Sequence, residues 1–373
     1  MPRSYRTTLR GVLLVASLLA SLVAVRWLMT GSLDRPMAPS ALAPAPLGSE
    51  RGAPLTALPP PGARLSLGGR QPIVVDPASG TVARIPPDSG DQTVMFRQGS
   101  YTVLVADRRA WAAPAGRAGP RWPLGGAAIA LPALADDRVW LVDARYGASG
   151  QLGYTLVEVG LADGRAHTRW TLPYQAVPVA VLPSGLLVRD LEDDLEVVEP
   201  GSGRVWAILA RTARFVDARG SRVAWLAGRD LHVHDLATGA ETVVPPPPGS
   251  PDWYTQGAGP ASSPDCCFGL GAFAPDGRTL AVYARLAGPG APGLALVDLD
   301  RGRAALLRGS EGATPTGCRP CLAWASNGWL YFFGAGPATT SIGAWRPGEG
   351  SAGLLRLDID EALDRVPSSV AAN

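Results

Sequence analysis

One turn signature recurs along this chain at nearly even spacing, and it limits the fold more than any other feature. An apolar strand leads to an acidic residue, three more residues and a glycine. The clear copies are "IVVDPASG" with Asp76 and Gly80, "VVEPGSG" with Glu199 and Gly203, "HVHDLATG" with Asp235 and Gly239, and "ALVDLDRG" with Asp298 and Gly302. Weaker copies end at Gly164 and Gly350. Such a segment is a hairpin tip: the carboxylate accepts hydrogen bonds from backbone N–H groups ahead of it, and glycine takes the positive φ that lets the chain return. The six glycines span 270 residues, and the wide first gap has room for one degenerate copy near Asp107, so six intervals average 45 residues.

A second signature lies upstream of several tips: an apolar strand, a small turn closed by glycine, and a more apolar strand. Examples are "VAVLPSGLLV" with Gly185, "RFVDARGSRVAWLA" with Gly220, "GAFAPDGRTLAVYA" with Gly277 and "LAWASNGWLYFF" with Gly328. Each unit therefore reads strand, turn, strand, longer connection, strand, hairpin, strand. Four strands in about 45 residues is the arithmetic of a propeller blade. Short Val, Leu, Ile, Ala and Trp runs between Gly, Pro, Asp and Ser are strand signals, and only the last twenty residues hint at a helical stripe. The expected fold class is all-β, a single β-propeller of four-stranded blades preceded by an N-terminal transmembrane helix. Seven blades fit at roughly 64–92, 93–125, 126–175, 176–211, 212–263, 264–318 and 319–360, with six or eight as alternatives and a β-sandwich or β-helix as competing all-β folds.

The stretch "FAPDGRTLAVYA", Phe273 to Ala284, resembles the Pro-Asp-Gly repeat of TolB-type propellers, a branch of the WD-repeat-like superfold. "WASNGWLYFF" is a degenerate second copy. The resemblance implies a fold and not an activity, because the other units lack Pro-Asp-Gly and no strand ends in Trp-Asp.

The N-terminus predicts an address. Arg3, Arg6 and Arg10 precede fifteen uncharged residues, Gly11 to Val25, and Arg26 follows. Gly11 to Gly31 would reach about 31 Å as a helix, enough to span a bilayer with Arg26 snorkelling. The positive charge lies first, so residues 1–10 are expected in the cytoplasm, 11–31 as a signal anchor, and the remainder outside the cell membrane. Cleaved secretion is the alternative. Residues 32–63 are Pro- and Ala-rich, a linker; 64–360 are assigned to the propeller and 361–373 to a C-terminal tail.

Charge then excludes a function class. All 34 basic residues are arginine, and four of them lie in the first 31 residues with no acid. The rest of the chain carries 30 arginines against 32 acidic residues, a net of −2. A nucleic-acid binder needs a surplus of cations, so no nucleic-acid partner is expected.

The remaining chemistry-bearing residues are few. Cys266, Cys267, Cys318 and Cys321 form two pairs in a compartment expected to be oxidising. Aligning Gly277 with Gly328 offsets them by 51 residues, so both pairs enter the innermost strands of adjacent blades. Disulfides crossing between blades are the expectation; a four-thiolate zinc site, suggested by "CRPC", and redox chemistry are the alternatives. His232 and His234 lie two apart on a strand and point to one face, which reads as a solvated face and not as a metal site. Glu192, Asp193 and Asp194 read as a charged turn, without the spaced oxygen loop of a calcium site. The longest interruption of the repeat runs from Pro245 to Cys267. Its Asp252, Trp253 and Tyr254 are the candidate binding residues, as a recognition tip; the alternative is a loop packing its aromatics on its own propeller. No catalytic residues, metal or cofactor are assigned, since the nucleophile-elbow, zincin and phosphate-loop motifs are missing and the chain has no lysine. The expected function is a membrane-tethered extracytoplasmic module that binds an envelope protein or glycan without catalysis. The alternative is a hydrolase or lyase using carboxylates at the central channel.

Overall fold

The structure is a computed structural model of the full chain, and it describes residues 64–68, 72–77, 81–85, 94–117, 121–146, 152–172, 176–255, 269–286, 292–313, 322–333, 340–348, 352–357 and 369–372. All of these lie in one compact unit, Ala41–Asn373. The expected anchor and linker, residues 11–63, lie outside the described residues.

Seven sheets form, each antiparallel. Blade one takes β1 (Leu65–Gly68), β2 (Ile73–Asp76) and β3 (Thr81–Arg84). Blade two holds β4 (Val94–Gln98), β5 (Tyr101–Ala106), β6 (Arg109–Pro114) and β7 (Trp122–Gly126). Blade three holds β8 (Ile129–Pro132), β9 (Arg138–Tyr146), β10 (Leu152–Gly160) and β11 (Ala166–Leu172). Blade four has β12 (Val177–Leu182), β13 (Gly185–Arg189), β14 (Leu195–Val198) and β15 (Val205–Ala210). Blade five has β16 (Arg214–Arg219), β17 (Arg222–Ala227), β18 (Asp230–Asp235) and β19 (Ala240–Val244). Blade six is built from β20 (Asp252–Trp253), β21 (Gly271–Phe273), β22 (Thr279–Arg285), β23 (Pro292–Asp298) and β24 (Arg303–Leu306). Blade seven is built from β25 (Leu322–Trp324), β26 (Leu330–Phe333), β27 (Thr340–Trp345) and β28 (Gly353–Leu357). The last strand, β29 (Ser369–Ala372), returns to blade one and pairs with β1, Leu65 opposite Ala372 and Leu67 opposite Val370.

That last pairing corrects the expected tail at Ser369–Ala372; residues 361–368 lie outside the described residues. Ser369–Ala372 supplies the innermost strand of the first blade, so the first and last described strands lie side by side in one sheet. The blade count of seven and the four-strand order agree with the sequence spacing. One detail differs. Asp107 and Arg108, at φ 50° and 57°, make the two-residue turn between β5 and β6 and are not a copy of the tip signature. The tip position of blade two, between β6 and β7, carries no acid-to-glycine copy.

Two tips behave as the signature predicts. Asp235 Oδ1 accepts the Ala237 N–H at 3.0 Å, Asp298 Oδ1 accepts the Arg301 N–H at 3.1 Å, and Gly239 and Gly302 take positive φ. At the Glu199 tip Gly203 also takes positive φ, but the carboxylate accepts the Ser202 hydroxyl at 2.8 Å. Both signatures join neighbouring strands of one blade, first to second and third to fourth. Because successive strands run antiparallel, these turns share one face of the propeller. The connections between second and third strands, and between blades, share the other.

The core lies between blades and not within them. Leu131, Trp140 and Leu156 of blade three pack with Val177, Leu186 and Val188 of blade four; Val179, Leu187 and Val197 of blade four pack with Phe215, Val223 and Trp225 of blade five. Phe273, Leu280 and Val282 meet Leu226, Leu231 and Val233 at the next boundary. One large cluster joins blades six, seven and one through Tyr283, Tyr331, Phe332 and Leu65. The first strands of the sheets touch one another around the centre, β8 to β12 to β16 to β21 to β25 to β29 to β4.

Closure at β29 is therefore expected to stabilise the whole ring. A chain ending at residue 368 loses its ladder to β1, on the order of 3 kcal/mol at about 1 kcal/mol per hydrogen bond. Differential scanning calorimetry should show Tm falling by roughly 5 °C. An unchanged Tm contradicts the closure.

Candidate functional site

The innermost strands are edge strands facing the centre, so part of their backbone lacks a neighbour to bond. Blade six shows how the sequence deals with this. Its innermost strand is in two pieces. β20 pairs with the end of β22, Trp253 opposite Ala284, and β21 pairs with its start, Phe273 opposite Leu280. The pieces meet at Tyr283, whose C=O accepts the Tyr254 N–H at 3.0 Å and whose N–H donates to Leu270 C=O at 3.2 Å. The long insert thus leaves the innermost strand midway and rejoins it.

The peptide joining Ala272 and Phe273 is held from both sides. Its N–H donates to Asp217 Oδ2 on β16 of blade five at 2.7 Å, and its C=O accepts the Trp324 indole N–H from β25 of blade seven at 2.9 Å. Three blades are linked through one peptide group. The approach is close enough to exclude side chains. A Cβ at Gly269 would fall 1.5 Å from Val216 C=O, and one at Gly271 would fall 2.5 Å from Ala281 C=O. Val216 reaches inward because β16 bulges between Phe215 and Asp217. β12 of blade four bulges in the same way between Pro178 and Ala180.

Asp217 is the one carboxylate of this seam whose proton affinity is strongly changed. Desolvation raises its pKa to about 6, against the opposing effects of the Phe273 and Ala218 N–H groups and the Arg219 charge. Burial outweighs three favourable partners, so the group sits near neutrality at mildly acid pH.

Two further inter-blade contacts involve charge. Arg97 on β4 donates through Nε to Gly99 C=O at 2.8 Å and makes long contacts to Ser326 Oγ at 3.4 Å and Ala372 C=O at 3.5 Å. It spans the closing boundary from blade two past blade one to a turn of blade seven. Burial lowers its pKa, and Asp136 opposes this. At the other side of the ring, Asp193 lies between Arg214 at 2.6 Å and the fully buried Arg189 at 3.5 Å. Its neighbour Asp194 accepts the Thr212 N–H at 2.9 Å. The acidic run is a charged turn that ties blade four to blade five.

The residues singled out in the sequence fall as follows. Trp253 is 2% exposed and Tyr254 is buried, each in an inter-blade cluster, while Asp252 is half-buried and bonds the Trp253 N–H at 2.8 Å. The aromatic rings expected at an exposed tip are withdrawn into the core, as in the packing alternative, because their strand pairs with β22. Cys266, Cys267, Cys318 and Cys321 lie outside the described residues. His232 and His234 do share a face, both near the Trp225 ring, and His232 Nδ1 is 2.8 Å from Glu241. Among the described residues, no three His, Cys, Asp or Glu side chains gather as a metal site, and no helix is long and apolar enough to cross a membrane.

Asp217 carries no local signal, because its partner lies 56 residues away in the next blade. A second feature absent from the sequence expectations is β15, "VWAILA", whose Val205, Trp206 and Ile208 are exposed on the outermost strand of blade four. A charge-free strand in the fourth position of a unit was the signal.

Two outcomes test this arrangement. Trp253→Ala should destabilise the protein by ~3–5 kcal/mol in urea unfolding, the cost of emptying a core site; a variant as stable as the wild type would return the ring to the surface. For Asp217, the folded carboxyl titrates at about 6 and an unfolded one near 4. The folded state holds the proton more tightly, so this group's stabilisation is complete below about pH 4 and is lost as pH rises through 6. Asp217→Asn removes that slope. Wild-type stability minus that of the variant should fall between pH 4 and 7, and a flat difference contradicts the assignment.

No protein-family model matches the chain, and no curated protein does. Among solved structures, an acylaminoacyl peptidase of Pyrococcus horikoshii is similar with a TM-score of 0.52 at 10% identity, over 83% of this chain and 53% of that one. A protein from Lactobacillus plantarum is similar with a TM-score of 0.50 at 15% identity, over 83% of this chain and 99% of that one. TolB from Acinetobacter baumannii overlaps 85% of this chain and 68% of its own, at 10% identity and a TM-score of 0.44. At these identities the likeness is one of fold alone, that of a β-propeller.

Proposed function

We propose that this chain is a membrane-tethered, extracytoplasmic β-propeller that acts as a non-catalytic binding module of the cell envelope, with an envelope protein or glycan as its partner. The observation that carries this reading is the outer strand of blade four. Val205, Trp206 and Ile208 are 39%, 46% and 49% exposed along this one strand. Large apolar side chains grouped on a surface are costly in water and mark places where a partner covers them. On the innermost strands, by contrast, Asp217 and Trp324 hold β21, and Arg97 holds the closing boundary.

The arginines at 3, 6 and 10 ahead of Gly11–Gly31 support the tether, and the Pro- and Ala-rich residues 32–63 support a stand-off from the bilayer. In that compartment the four cysteines are proposed to be disulfide-bonded.

One observation favours a second reading, a hydrolase or lyase at the channel. Asp217, with its carboxyl near 6, has the proton affinity of a general acid or base. The two readings separate in one experiment. The tagged full chain in native membranes is cross-linked and its captured proteins and glycans are identified. A saturable, reproducible partner is the expected result. No partner, together with turnover of a polysaccharide or ester panel that Asp217→Asn abolishes, would overturn the binding reading in favour of the enzyme.

A further inference from the structure

Among the described residues the outer strand of every blade has a neighbour on one side only, and natural sheets protect such edges with charge, proline or bulges. Six of the seven outer strands here follow that rule. β3 carries Arg84, β7 Pro123, β11 Arg169, β19 Glu241, β24 Arg303 and β28 Arg356. β15 carries neither charge nor proline: all six of its residues are apolar, and its one irregularity is a pair of bulges in the pairing with β14, between Leu195 and Glu196 and between Val197 and Val198. It pairs with β14 and, among the described residues, with no other strand. Ala207, Leu209 and Ala210 pack against the cluster shared with blade five, while Val205, Trp206 and Ile208 stay in solvent. An open ladder and a row of large apolar side chains coincide on one strand.

Charge selects the occupant. Arg204 and Arg211 bracket the strand, and both are exposed. Arg204 lies 3.5 Å from Glu199, but both partners are solvated and screened. A second copy pairing antiparallel in full register would set Arg204 against the other copy's Arg211 twice, which like-charge repulsion disfavours. An incoming strand with acids at its ends meets both arginines favourably.

We propose that β15 is a strand-addition site that takes an extended, apolar segment of a partner protein bracketed by acidic residues. This rests on the binding-module reading and narrows its partner to a protein. Backbone hydrogen bonds would supply affinity, alternate apolar side chains would meet Trp206 and Ile208, and the flanking arginines would fix register.

The test uses the full chain in detergent micelles and two fluorescein-labelled decapeptides. Both have alternating valine and threonine at the centre; one has two aspartates at each end, the other two arginines. The wild type should bind the aspartate-ended peptide at least tenfold more tightly than the arginine-ended one by fluorescence anisotropy. Ile208→Lys, at an exposed site, should keep the wild-type Tm yet weaken the aspartate-ended peptide at least tenfold, although it adds an attracting charge. The double variant Arg204→Glu with Arg211→Glu should reverse the peptide preference. Failure of the wild type to bind either peptide, or equal binding by all variants, overturns the proposal. So does sedimentation showing a wild-type dimer that Ile208→Lys makes monomeric, or Ile208-dependent binding to anionic vesicles in place of peptide. If Ile208→Lys loses nothing from the partners captured in native membranes, the propeller remains a binding module and only this site is rejected.

Discussion

No blade of this protein can bury its own faces, and the rest of the architecture follows from that. A four-stranded sheet has two sides, and here both are largely apolar, so each sheet needs a neighbour on either side. Trp225 of blade five belongs to a cluster with Leu187 of blade four, and Val233 of the same blade belongs to a cluster with Phe273 of blade six. An open row of such sheets would leave its first and last members half exposed. Pairing β29 with β1 removes those ends by making the chain's last residues part of its first sheet.

Closing a ring of twisted sheets creates a second problem, a circle of innermost edge strands. The solution in blade six is economical of residues: one peptide group, between Ala272 and Phe273, is bonded by Asp217 on one side and Trp324 on the other. Glycines at 269 and 271 allow the strands to approach that closely. The cost is a carboxylate held where burial outweighs its partners, which explains why its proton affinity is raised in spite of two backbone N–H groups and Arg219. The polar groups at the centre thus belong first to assembly. The open apolar edge of β15, on the periphery, has no such structural duty.

What the sequence made legible was whatever repeats. The tip signature and the glycine-closed turns gave the strand order and seven blades, because each is a local hydrogen-bonding problem solved by adjacent residues such as Asp235, Ala237 and Gly239. Features that depend on another blade were hidden. "SVAA" near the end of the chain has no tip and no partner within reach of its own sequence, so β29 looked like a tail. Trp253 and Tyr254 sit between a proline run and the cysteines, and a two-residue strand is too short to show a period. Asp217 stands within a turn signature, yet its partner is Phe273. β15 was legible as a fourth strand, because it follows the Glu199 tip, but an apolar run does not by itself say that Val205, Trp206 and Ile208 stay in solvent.

A ring pinned at its centre and open at one outer edge has a distinct pattern of amide hydrogen exchange, read by mass spectrometry on the intact chain. Exchange should be slow in peptides covering Phe215–Ala218 and Leu270–Phe273. It should be faster over Val205–Ala210 than over Leu195–Val198 of the same sheet. Rapid exchange at Phe273 together with full protection of β15 would contradict this pattern.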